Sequence, residues 1–106
     1  MKKLTSLVLL LCVLLSACAH HGAAEIRSQP SGAEVVDVKT GVLLGVTPVK
    51  VWWQDDSASR KFVNIRVQKE GYRDKTNSFW VTLRHDSRSS ALEDPQSVEM
   101  VLDKAN

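Results

Sequence analysis

Between residues 61 and 69 the side-chain pattern alternates, with Val63, Ile65 and Val67 on one side and Phe62, Asn64, Arg66 and Gln68 on the other. A period of two marks a half-buried β-strand, because successive strand side chains point to opposite faces. The pattern returns at residues 78–84 (Phe79, Val81, Leu83) and 97–103 (Val98, Met100, Leu102), with shorter runs at 25–28, 33–38 and 49–54. Turn chemistry separates the runs: Gln29-Pro30-Ser31-Gly32, Lys39-Thr40-Gly41, the bend Gly45-Val46-Thr47-Pro48, the polar stretch 54–59, and Glu70-Gly71. Proline presets φ in such turns and glycine supplies positive φ. No stretch carries a convincing helical period, no internal repeat is present, and residues 85–95 read as a polar, mobile loop. The expected fold is all-β, a small antiparallel β-sandwich of six to seven short strands.

The first eighteen residues have a different character. Lys2 and Lys3 precede the apolar run 7–15, and Ser16-Ala17-Cys18 follows. That is the charged, apolar, small-residue order of a secretory signal. The run falls well short of the roughly 20 residues a spanning helix needs. Leu15-Ser16-Ala17-Cys18 resembles the lipobox of bacterial lipoproteins. The resemblance implies cleavage before Cys18, a diacylglycerol on its thiol and an N-acyl chain such as palmitate on the new amino group. One acyl chain holds a protein weakly and reversibly, whereas two or more anchor it stably. In Gram-negative lipoproteins an aspartate after the cysteine signals retention in the inner membrane. Ala19 in that place implies the outer membrane, facing the periplasm. The expected organisation is a signal peptide at 1–17, lipidated cysteine and tether at 18–24, the domain at 25–103 and a tail at 104–106.

Removing the signal alters the charge and the cysteine count. Fourteen basic residues face 12 acidic ones in the whole chain, and the signal takes Lys2 and Lys3, so the mature charge is zero. A bulk-charge attraction to nucleic acid is thereby lost, and no nucleic-acid partner is expected. Cys12 leaves with the signal and Cys18 carries lipid, so neither a disulfide nor a thiolate metal site is expected in the domain. His20 and His21 read as solvated tether histidines, and no metal or other cofactor is expected.

Three turn motifs in order, Pro30-Ser31-Gly32-Ala33, Gly45-Val46-Thr47-Pro48 and Lys69-Glu70-Gly71-Tyr72, resemble those of the PEGA domain. The resemblance covers about residues 25–103. The chain departs from the family at 55–59, where a short glycine-containing turn is usual, and in a longer polar insert at 84–95. The motifs have physical reasons of their own. Gly32 and Gly71 suit backbone that is awkward for a side chain, Pro48 fixes φ at a strand entry, and Tyr72 can bury its ring while its hydroxyl finds a partner. PEGA domains are small sandwich modules of cell-envelope and surface proteins, so the resemblance implies interaction or spacing rather than a reaction.

Catalytic patterns are correspondingly thin. His85 adjoins Asp86, and serines are plentiful, but no nucleophile elbow surrounds any of them. Asp55-Asp56 and Glu93-Asp94 read as solvated turn acids, and no phosphate loop or dinucleotide fingerprint occurs. A non-catalytic protein is expected. The sharper signal is aromatic. If Val49, Val51 and Trp53 face the core, alternation turns Lys50, Trp52 and Gln54 outward, and likewise Phe62 beside Arg66 and Trp80 beside Arg84. Exposed Trp and Arg suit a protein partner, an indole suits a stacked sugar, and either tryptophan could instead be covered by loops or lie on a different sheet. The functional expectation is a membrane-anchored, non-catalytic periplasmic interaction or scaffold module of an envelope assembly, with an envelope protein as partner. The alternative is a glycan-binding module for peptidoglycan or surface polysaccharide.

Overall fold

The computed structural model describes residues 19–105, so the signal and Cys18 lie outside the described residues. Seven strands form two sheets: β1 (His20–Gln29), β2 (Glu34–Asp37), β3 (Leu43–Val46), β4 (Val49–Asp55), β5 (Arg60–Gln68), β6 (Lys75–Thr82) and β7 (Gln96–Val101). One sheet has the order β4-β1-β7 and the other β3-β2-β5-β6. The all-β sandwich expected from the alternation is what forms. Its core lies between the sheets and is built from Ala24, Ile26, Val35, Val63, Ile65, Val67, Val81, Leu83, Val98 and Met100. These are the even-spaced apolar positions of the strands.

Four expectations need correction. The sandwich is not wholly antiparallel, because β1 and β7 run parallel, with Ile26 opposite Val98. Parallel neighbours require a long crossover, and here almost the whole chain separates the two strands. Residues 20–24 are not a tether: β1 begins at His20, paired with Asp55. The small residues Gly22, Ala23 and Ala24 serve close packing: both alanines are buried, and a Cβ on Gly22 would stand 2.3 Å from the Thr82 carbonyl oxygen and 2.8 Å from Val81 Cγ1. Residues 85–95 are not simply a loop. Ser87 caps a short helix, α1 (Arg88–Glu93), by accepting from the Ser90 N–H, as N-cap serines do. Lastly, the expected tail is partly tied down, because the Ala105 N–H donates to the Gly71 carbonyl at 3.0 Å and Lys104 bridges Tyr72.

The turn glycines behave as their chemistry dictates. Gly32 and Gly71 hold φ of 84° and 86°, values that a side chain disfavours. The bend at Thr47-Pro48 folds against the Pro30 turn, where the Gly32 N–H donates to the Thr47 carbonyl and the Thr47 N–H to the Ala33 carbonyl. Tyr72 packs its ring against the core edge.

Candidate interaction face

Directly paired residues of antiparallel strands share a face. Val63 pairs with Phe79 toward the core, so the neighbouring pair Phe62 and Trp80 points out from the four-stranded sheet. Both are about half exposed, at 53% and 49%. Their rings meet edge to face with centroids 5.1 Å apart, a geometry favoured by the aromatic quadrupole. The Arg60 guanidinium lies 4.5 Å from the Trp80 ring centroid, within cation–π range. On the same face Asn64 pairs with Ser78, and Arg66 with Thr76 and Val36. Asn64 Oδ1 and Arg66 Nε are buried yet find no hydrogen-bond partner among the described residues. Leu43, 52% exposed, continues the apolar surface onto the edge strand β3.

The sequence-derived candidates thus separate into three places. Phe62, Arg66 and Trp80 come together on this face. Trp52 lies on the opposite side of the molecule: it pairs with Ala23 on the outer face of the three-stranded sheet, 6.2 Å from the His21 ring, with the Arg88 guanidinium 5.4 Å from its ring centroid. Arg84 sits at the seam between the sheets and pairs with Asp94. Arg60 belongs to the face too: it shares the alternation of Phe62, Asn64 and Arg66 but lies one residue before the run read as 61–69. Its position opposite Thr82, two pairs beyond Phe62–Trp80, is the signal that a register would have supplied.

Helix α1 covers part of the outer face of the three-stranded sheet. Ala23 and Ala91 are both buried although neither belongs to the main core, and α1 packs on β1 and β4. His85 ties this excursion back to β1, since the His21 and His85 backbones exchange two hydrogen bonds of 2.9 and 3.0 Å. The His85 side chain places Nδ1 3.1 Å from Ser90 Oγ and Nε2 3.5 Å from Asp94 Oδ2. Serine, histidine and aspartate therefore stand in relay order, but the adjoining cavity of about 100 Å³ is lined by Ala23, Thr82, Arg84, His85, Asp94 and Gln96 and does not reach Ser90. What the cluster does mechanically is latch α1 onto the sheet. A larger groove of about 380 Å³ opens at the far end of the three-stranded sheet. Its cation Arg27 is held by Glu25 at 2.6 Å.

One acidic side chain is clearly perturbed. Asp55 Oδ1 accepts from the backbone N–H groups of Ser57 and Ala58, each at 2.9 Å. These donors, Ala58 first, hold its carboxyl below the usual carboxylate value. Asp55-Asp56 therefore includes a turn-forming acid, as its loop position suggests. Among the described residues no group of three or more His, Cys, Asp or Glu side chains is placed to hold a metal ion.

No protein-family model, curated protein or solved structure matches the chain.

Proposed function

We propose that this chain is a lipid-anchored, non-catalytic interaction module of the bacterial envelope, a PEGA-like sandwich that docks an envelope protein through Arg60, Phe62, Arg66 and Trp80. The observation that carries the reading is the half-exposed Phe62–Trp80 pair with Arg60 against its indole, on an open sheet face. Trp and Arg dominate binding energy where a partner excludes water from them. Cys18 supplies the attachment, through diacylglycerol and an N-acyl chain, and Ala19 the outer-membrane address.

The test combines Phe62→Ser with Trp80→Ser in the full-length protein. Loss of a crosslinked envelope protein with the folded state retained supports the reading. Unchanged crosslinking removes it. Retention of the protein on purified sacculi, lost in the same variant, would instead favour glycan binding. For the anchor, Cys18→Ser is expected to release the protein from membranes or leave it unprocessed, and Ala19→Asp to move it toward the inner membrane.

A further inference from the structure

The anchor and the sandwich are almost continuous. β1 begins at His20, fixed to Asp55 on one side, and the next residue, His21, is bonded to His85 on the other. Only Ala19 stands between His20 and Cys18. At about 3.3–3.6 Å per residue, the Cα of His20 lies no more than about 7 Å from that of Cys18. The length of this link matters because Cys18 is acylated in the function proposed for the chain, and the orientation of the domain rests on that acylation. The glycerol of such an anchor sits at the edge of the hydrocarbon core, beneath headgroups that add about 5–7 Å per leaflet. The link is used up in crossing them.

β1 is also the middle layer of the molecule at this end. On one side of its sheet lies the four-stranded sheet, about 10 Å away as packed sheets are. On the other lies α1, whose Ala91 is buried over β1 and whose body is about 10 Å thick. To lie flat on either face, the domain would have to raise the start of β1 by a layer and its side chains. A link of about 7 Å cannot span that.

We infer that the domain stands upright on the bilayer as a short post and that its partner is a protein seated in or on the same leaflet, met sideways by the Arg60–Phe62–Trp80 face. The height of that face follows from packing. Gly22 abuts Thr82, so Trp80 is about level with Ala24, four residues along β1. At about 3.3 Å per strand residue, the indole stands roughly 13 Å above His20, and with the link of about 7 Å its height above Cys18 is no more than about 20 Å. Because the strands rise along the membrane normal, their side chains point parallel to the bilayer. The chemistry of this face selects a wall with an apolar hollow for Trp80 and Phe62 and with oxygen acceptors for Arg60 and Arg66. The bilayer itself does not fit, since the aromatics are held above the headgroups, and the end that meets them mixes Arg60, Lys61, Arg84 and Arg88 with Asp55, Asp56, Asp86 and Asp94.

The test uses the full-length lipoprotein, with Cys18 acylation read first by intact mass. Fluorophores attached to Asp56→Cys, Ser78→Cys and Glu70→Cys are paired with a headgroup-labelled acceptor lipid in phosphatidylethanolamine–phosphatidylglycerol vesicles. An upright post gives transfer falling steadily in that order. Equal transfer from Asp56→Cys and Glu70→Cys, with acylation intact, overturns the orientation. In cells, a photocrosslinker at Trp80 is compared with and without a 20-residue Gly/Ser insert between Ala19 and His20. Such an insert has an end-to-end distance of about 25 Å and dilutes the effective concentration toward a neighbour on the same leaflet. A crosslink to an integral or lipid-anchored protein that drops several-fold supports the proposal. A crosslink to lipid or glycan, or one that persists or strengthens with the insert, overturns it. Absence of the acyl mass removes the lipidation reading and the post together.

Discussion

The hydroxyls of Ser28 and Thr47 lie 2.6 Å apart in the interior and form the middle of a directed chain of hydrogen bonds. The Ser28 hydroxyl donates to the Pro30 carbonyl at 2.7 Å, so the proton between the two hydroxyls comes from Thr47. Thr47 in turn accepts from the Ala33 N–H at 3.0 Å. The chain joins the turn at Pro30 to the bend at Thr47-Pro48, two of the three motifs that stand out in the sequence.

Thr47→Val keeps the shape but leaves the Ala33 N–H and one Ser28 lone pair unpaired in a buried site. A loss of about 1–3 kcal/mol is expected. Thr47→Ser retains the relay and gives up one methyl group, about 0.8 kcal/mol. Urea denaturation of the two variants checks the order. A larger loss in Thr47→Ser than in Thr47→Val would mean that the methyl, not the hydroxyl, matters at this position.

Gly22→Ala tests whether residue 22 belongs to the fold. In a tether the change would be silent. Here its Cβ meets a backbone carbonyl at 2.3 Å, and backbone gives way poorly, so about 3 kcal/mol or more is expected, at the upper end of overpacking costs. Thermal unfolding would show it as a clear drop in Tm.

Trp80→Ser is expected to cost only about 1 kcal/mol, since a half-exposed ring gives up modest cation–π and aromatic contacts. Ile65→Ala, at a fully buried core position, should cost about 2–5 kcal/mol. A Trp80 loss as large as that of Ile65, measured in the same denaturant series, would make the indole a structural cover.

The Asp55 turn gives a pH dependence of known sign. Its carboxyl titrates lower in the folded protein than in the unfolded chain. The contribution is therefore complete above the unfolded value of about 3.9 and disappears as pH falls through the lower folded value. The protection of the Ser57 and Ala58 amides, taken relative to the intrinsic exchange rate at each pH, should fall in that acid range and stay constant above it. In Asp55→Asn the acid-dependent step should vanish.

Gln96 closes an edge. Its Nε2 donates to the Trp80 carbonyl at 3.0 Å and its Oε1 accepts from the Thr82 N–H at 2.7 Å, as a neighbouring strand would. Unpaired strand edges invite association. Gln96→Ala is expected to speed hydrogen exchange at Thr82, with a stability loss near about 1 kcal/mol. Unaltered exchange at Thr82 would show that the amide does not guard this edge.

Local pattern and non-local geometry divide what the sequence discloses. Alternation at 61–69 and 78–84 anticipates β5 and β6, with Phe62 and Trp80 outward, because strand period is a property of consecutive residues. The partnership of Arg60 with Trp80 depends on register between β5 and β6, which no single strand encodes. Gly22, Ala23 and Ala24 look like a linker for the same reason that they pack closely: small residues permit either, and only the neighbours Thr82 and Ala91 decide. Trp52 fits the outward pattern equally well, yet the topology sends it to the other sheet. The seven-residue stretch from Ser87 holds one turn of amphipathic pattern at most, so α1 depends on its cap and on Ala91 meeting β1 rather than on periodicity.

The parallel pairing of β1 with β7 also bears on how the molecule comes into being. The second edge of its central strand is supplied by β7, which follows all the other described strands, so the three-stranded sheet is incomplete until β7 is available. Contacts distant in sequence dominate such a fold, and pairings of that kind form slowly. Until that strand arrives β1 keeps one open edge, so the residue run that ends the sandwich is also the one that shuts it.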